Sequence, residues 1–153
     1  ILKGLKEIKD SELKVDLQII TNKIEKIKSL TKNFDKNISI NFFDWSIDMH
    51  DKIEKSDIVI LPLLNNNNSY VKSSNRVVDS LNMGRFIIIN ENEQFSEFKN
   101  YCYFGNIGDG LKWIKKNKEI SKQMVKKGQE YVLQNYNLQK ICEKWKKIIS
   151  EIR

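Results

Sequence analysis

Short runs of nearly uninterrupted isoleucine and valine recur along the chain, and between them lie stretches with helical spacing; no other feature narrows the fold as much. Apolar runs of four to six residues separated by amphipathic segments are the pattern of parallel strands covered on both faces by helices. The expected strands are Val15 to Ile20, Ile38 to Phe43, Asp57 to Leu61 and Phe86 to Asn90, with a brief edge strand at Cys102 to Phe104. Helices are expected over Ile1 to Lys9, Asn22 to Leu30, Ser46 to Lys55, Ser74 to Met83 and Phe95 to Asn100. Three more follow at Leu111 to Lys116, Ile120 to Gln134 and Leu138 to Ile152. Asn22 and Glu25 have the spacing of a capping pair. The fold class that results is α/β, a doubly wound parallel sheet with helices on both faces and a helical carboxyl-terminal end.

With 153 residues and 40% hydrophobic content, the chain can bury one core of its own, and residues 1–153 read as a single domain. It opens at Ile1 inside an amphipathic pattern, without an initiator methionine or a signal-like stretch, as expected of part of a longer protein. Charged residues interrupt every apolar run, so no membrane span is expected. The two cysteines, Cys102 and Cys142, sit in apolar settings without metal-ligand spacing and are expected to be reduced core thiols, which points to a cytoplasmic location. Trp113 and Trp145 fall on apolar stripes and are expected to pack internally.

The net charge of +7 is unevenly placed: residues 111 to 153 hold twelve basic and four acidic side chains, residues 1 to 110 fifteen and sixteen. Two readings fit the carboxyl-terminal excess. It is either a solvated helical face or a patch for an anionic membrane surface or another polyanion, which would make the protein peripheral at the membrane. Nucleic acid is not expected as a partner, because the aromatics among these lysines have core spacing.

Several chemistries lack their residues. His50 is the lone histidine, so no Ser/His/Asp or Cys/His arrangement can be assembled, and no Asp-x-Asp pair suggests a metal site. Gly105-Asn106-Ile107-Gly108-Asp109-Gly110 has neither the dinucleotide nor the P-loop spacing, and reads as a turn with Asp109 as a helix cap.

The segment from Lys72 to Gly84 carries more information. Ser73 and Ser74 are suited to cap a helix and Gly84 to end it, yet Lys72 and Arg76 fall at the end where the helix dipole is positive. Such cations are misplaced by about 0.3–1 kcal/mol each unless an anion joins them. Asn75, Arg76 and Asp79 share a polar face, while Val77, Val78 and Leu81 form the apolar stripe. A phosphate at the helix start with hydroxyls beside Asp79 would suit this arrangement.

Lys72-Ser73-Ser74-Asn75-Arg76, then Asp79, then Gly84-Arg85-Phe86-Ile87-Ile88 resembles the donor-binding helix and following strand in the carboxyl-terminal domain of family 4-like glycosyltransferases of the GT-B fold. Phe43-Asp44-Trp45-Ser46 and Ser56 to Leu63 are similar to that family's third and fourth strands with their loops, and Gly128 to Val132 and Trp145 to Ile149 to its closing helices. The resemblance implies a Rossmann-like domain whose first strand is absent from this sequence. It implies that Lys72 and Arg76 act on the leaving diphosphate of a nucleotide-sugar donor. Asn75, Ser74 and Ser73 would also meet the diphosphate, Asp79 the ribose, and Trp45 and Ser46 the base. The family often has Glu eight residues before the ribose-binding acid, where this chain has Val71.

The implied activity is transfer of a sugar from a nucleoside diphosphate to an acceptor glycan or lipid-linked acceptor, with no cofactor and no metal. The acceptor would be held mainly by an amino-terminal domain outside this sequence. Two alternatives stay open: a basic α/β module binding a polyanion, and a nucleotide-sugar epimerase of the same fold.

Overall fold

The computed structural model describes residues 13–31, 37–62 and 73–152. Within them, parallel strands alternate with helices and a helical segment closes the chain. In order these are β1 (Val15–Ile20), α1 (Ile24–Thr31), β2 (Ile38–Phe43), α2 (Met49–Glu54), β3 (Ile58–Leu61), α3 (Asn75–Asn82) and β4 (Phe86–Ile89). A 3-10 turn (Glu93–Phe98), β5 (Tyr103–Phe104), α4 (Ile107–Lys116), α5 (Lys118–Asn135) and α6 (Leu138–Ile152) follow. The expected helix over Ile1 to Lys9 and the asparagine tract at 65–68 lie outside the described residues.

β4 is the strand around which the core is built. All four of its residues are buried, and successive side chains point to opposite faces. Phe86 and Ile88 join Leu17, Ile38, Ile107 and Leu111 in one cluster. Ile87 and Ile89 join Val77, Leu81, Phe95, Phe98, Cys102 and Val132 in the other. Burying each of these isoleucines contributes about 1.5–3 kcal/mol. Because both faces of the strand are consumed in this way, no polar residue is tolerated in it, which is why the sequence there is continuously apolar.

The strands form two parallel ladders. β1 pairs with β2 from Val15↔Ile38 to Ile20↔Phe43, and β4 pairs with β3 on one side and β5 on the other. No ladder joins the pair β1–β2 to β3–β4–β5 among the described residues. The two are nevertheless tied through a shared cluster, since Leu17 of β1 and Ile38 of β2 pack with Phe86 and Ile88 of β4.

Local details depart from expectation in three places. Asn22 and Glu25 do not form a capping box: Thr21 Oγ1 accepts from the Lys23 N–H at 3.2 Å, and Glu25 pairs with Lys28 at 3.0 Å. Asp109 is not a cap either. Asn106 caps α4, its Oδ1 accepting from the Gly108 N–H at 2.7 Å, so Gly108 and Gly110 lie inside the helix rather than in a turn. Gly110 is required by closeness, because a Cβ there would stand 2.9 Å from the Tyr103 ring and 3.0 Å from Ile88.

The third departure concerns α6. Its stripe was expected to face the core, but Trp145 is 60% exposed, Leu138 77% and Ile152 80%, and Cys142 is exposed as well. The helix begins after a break at Tyr136 and Asn137, and none of its residues joins either cluster among the described residues. Trp113 and Cys102 are buried or half-buried as expected; Trp113 stacks on Phe86 with 6.1 Å between centroids, and burial pushes the Cys102 thiol up to about 12. His50 is exposed on α2.

Replacing Gly110 with valine forces two methyl groups into the contact with Tyr103 and Ile88, and overpacking of this kind costs about 1–3 kcal/mol. Urea denaturation should show the midpoint falling with the slope unchanged.

Candidate functional site

α3 is fixed from below by its apolar side. Val77 and Leu81 are 1% and 0% exposed, and Leu81 meets α5 where Gly128 lets the helices approach: a Cβ on Gly128 would lie 2.8 Å from Leu81. Its far end is closed by a Schellman motif. Gly84, at φ 68°, donates to the Leu81 carbonyl and Arg85 to that of Ser80, both at 2.9 Å. Gln129 adds a bond to the Asn82 carbonyl at 2.8 Å, and Arg85 Nη1 reaches the Ser56 carbonyl at 2.9 Å ahead of β3. These contacts leave α3 little freedom to slide, so the polar residues on its outer side have set positions.

Those residues are Ser73, Ser74, Asn75, Arg76 and Asp79. Ser73, Asn75 and Arg76 are exposed, Ser74 and Asp79 half-buried. Ser74 occupies the cap position but its side chain makes no capping bond, in contrast to Asn92 and Asn106 at the starts of the 3-10 turn and α4. The Ser74 carbonyl accepts from the Val77 and Val78 N–H groups at 2.9 and 3.0 Å. Among the described residues no acceptor meets the N–H of Asn75 or Arg76, so the helix start keeps donors available.

Arg76 and Asp79 do not pair. Although they stand i,i+3, no ion pair joins them, and none joins either to another described residue. Arg76 is exposed and Asp79 half-buried, one turn apart on the same helix. Lys72 lies outside the described residues. Trp45 is 60% exposed and Ser46 half-buried, both just beyond the carboxyl end of β2 in the other ladder. No hydrogen bond, ion pair or ring contact links either side chain to α3 among the described residues, so the two halves of the expected site are not brought together by direct contact.

One neighbour of this helix start had no signal in the sequence. Tyr136 Oη donates to Glu97 Oε1 at 2.7 Å and Tyr131 Oη to Glu97 Oε2 at 3.1 Å, so both carboxylate oxygens are engaged by phenols more than thirty residues away. Ser74 interacts with the same Tyr136 phenol, which connects the cluster to the start of α3. Burial and, next, the bond to Glu97 push Tyr136 up to about 12, against an opposing pull from Ser74. Tyr131 is raised for the same two reasons.

Arg76 and the helix start together supply about 1.5 positive charges, and Asp79 and Glu97 two negative ones. Among the described residues the local balance is therefore slightly negative. An open depression lies elsewhere, over the α4–α5 junction from Lys115 to Ile120. Among the described residues no three His, Cys, Asp or Glu side chains gather as metal ligands, and no helix is long and apolar enough to cross a membrane.

No protein-family model matches the chain, and no curated protein matches it significantly.

The phenol cluster has a pH signature. Tyr136 holds its proton to about 12 in the folded chain, against about 10 when unfolded, so its contribution is complete below pH 10 and is lost as pH rises toward 12. Urea titrations across that range should show stability falling, and Tyr136→Phe should flatten part of the fall.

Proposed function

We propose that the start of α3 binds the diphosphate of a nucleotide sugar, with Asp79 holding the ribose, and that the chain is the donor-binding domain of a metal-independent GT-B glycosyltransferase. The observation that carries this is the unspent state of the site. Among the described residues Arg76 has no carboxylate partner, the Ser74 side chain makes no capping bond, and Asp79 stands one turn along with its own oxygens unpaired. In a helix start designed for stability alone, an acidic first turn or a capping bond would be expected instead.

Strand order lends support to the doubly wound reading. In a sheet of order 3-2-1-4-5-6, removal of strand 1 leaves a pair, 3-2, and a triplet, 4-5-6. The ladders β2–β1 and β3–β4–β5 have that division. On this reading β1 corresponds to the second strand of the fold, and α3 follows the fourth, beside the crevice where open α/β sheets hold nucleotides.

As the sugar–phosphate bond breaks, negative charge grows on the departing diphosphate. Lys72, Arg76 and the N–H groups of the α3 start would stabilise it more than the ground state, which is how a binding site becomes a catalytic one. Asn75, Ser74 and Ser73 would add neutral donors, and Trp45 and Ser46 would lie toward the base. The acceptor, a glycan or a lipid-linked one, would be held by an amino-terminal domain.

Charge at the site favours a diphosphate only with Lys72 present, so Lys72→Ala should weaken binding at least as much as Arg76→Ala. The test is a thermal-shift panel of pyrophosphate, nucleoside diphosphates and their sugars. A ligand at a hundred times its Kd adds about 2.7 kcal/mol of stability. Asp79→Ala should remove the preference for nucleosides over pyrophosphate, while both cation variants lose the response to each. In an enzyme that also contains the acceptor domain, Arg76→Ala should lower kcat roughly a hundredfold. A panel in which no nucleoside diphosphate stabilises the unaltered chain would overturn the assignment.

A further inference from the structure

α6 is an amphipathic helix whose apolar side has no partner among the described residues. At 3.6 residues per turn, Leu138, Ile141, Trp145, Ile148, Ile149 and Ile152 form one stripe about a third of the way round a helix about 22 Å long. All six are exposed, and none belongs to either core cluster. An apolar stripe of this length left in water is unfavourable, so something covers it in the working protein.

The charges around the stripe indicate what. Lys144 and Lys146 border it on opposite sides, and Lys140 and Lys147 lie farther round. Lys140 and Lys147 pair with Glu143 and Glu151 at 3.0 and 3.9 Å, Lys146 lies near Glu143, and Lys144 stands 5.5 Å over the Tyr136 ring. Exposed pairs of this kind are weak and leave most of the field intact. Helices α4 and α5 add seven lysines against three acidic side chains, so the whole carboxyl-terminal segment is basic.

We propose that α6 docks on an anionic lipid surface, lying in the interface with its isoleucines and Trp145 toward the acyl chains and Lys144 and Lys146 at the level of the headgroups. Long cationic side chains on both borders of an apolar stripe, with a tryptophan within it, match the interfacial environment. The helix is too short and too charged to span, so it would lie on the membrane. A protein partner fits less well, because lysine is depleted at protein–protein interfaces. A second copy of α6 also fits less well. The a/d pattern from Leu138 to Ile152 runs for only two heptads, short of the three or four that a coiled coil needs, and Ile149 widens the stripe beyond such a seam. This inference is independent of the transferase reading.

Vesicle co-sedimentation tests it, with phosphatidylcholine vesicles alone and with phosphatidylglycerol added. The chain should bind the anionic vesicles, bind the neutral ones far less, and lose affinity as salt is raised. Lys144→Ala with Lys146→Ala should reduce the affinity roughly 25-fold, at about fivefold per lysine. Trp145→Ser with Ile148→Ser should abolish sedimentation while leaving the circular dichroism and thermal midpoint unchanged, since neither side chain contributes to the core. Unaltered vesicle binding by that double variant would mean that the lysines of α4 and α5 act without α6, and would overturn the proposal. So would failure to bind anionic vesicles, whether the chain is then monomeric or, by light scattering, a dimer that Trp145→Ser dissociates.

Discussion

The two-sided burial of β4 is the constraint on which the remaining structure depends. Four consecutive apolar residues divide between two clusters, so α3, α4 and α5 are all positioned relative to one strand. α3 and α5 cover the face of Ile87 and Ile89, and α4 covers that of Phe86 and Ile88. Loss of either cluster would release a helix and expose the strand, and a single buried polar group there would carry a desolvation cost of a few kcal/mol.

The candidate site inherits its geometry from that arrangement. α3 is held by Leu81 against Gly128 and by the Schellman motif at Gly84, so its start projects Asn75 and Arg76 outward with Asp79 beside them. The buried side of the helix does no chemistry, and the outer side makes no contribution to the core. That separation lets Arg76 and Asp79 stay without an ion pair among the described residues and without threatening the fold, because exposed charges cost little when solvated. The Glu97 cluster sets a limit on the same site, since its link through Tyr136 to Ser74 brings a carboxylate close to the helix start.

Much of the fold was legible in the sequence because its signals are local. Strands of Ile and Val, the Gly84 stop and the α6 boundaries all follow from neighbouring residues alone. Gly110 was misread because a glycine in a turn ahead of a helix and one that lets a helix approach a neighbour look alike without knowledge of Tyr103 and Ile88. Ser74 was misread as a capping residue because its hydroxyl has a competing partner sixty residues away in Tyr136. The unpartnered side of α6 was missed because periodicity reports that a stripe exists, not what lies opposite it.

The sequence by itself determined the alternation of elements, the apolar identity of β4, the polar face of α3 and the basic excess of the last forty or so residues. These are properties of spacing and composition, which need no partner to be defined. Tertiary structure alone decided that the strands fall into two ladders, that Glu97 is gripped by Tyr131 and Tyr136 near Ser74, and that the apolar stripe of α6 is exposed. Each of those depends on contacts between residues distant in the chain, whose energies are set by where the backbone brings them and cannot be read from either residue separately.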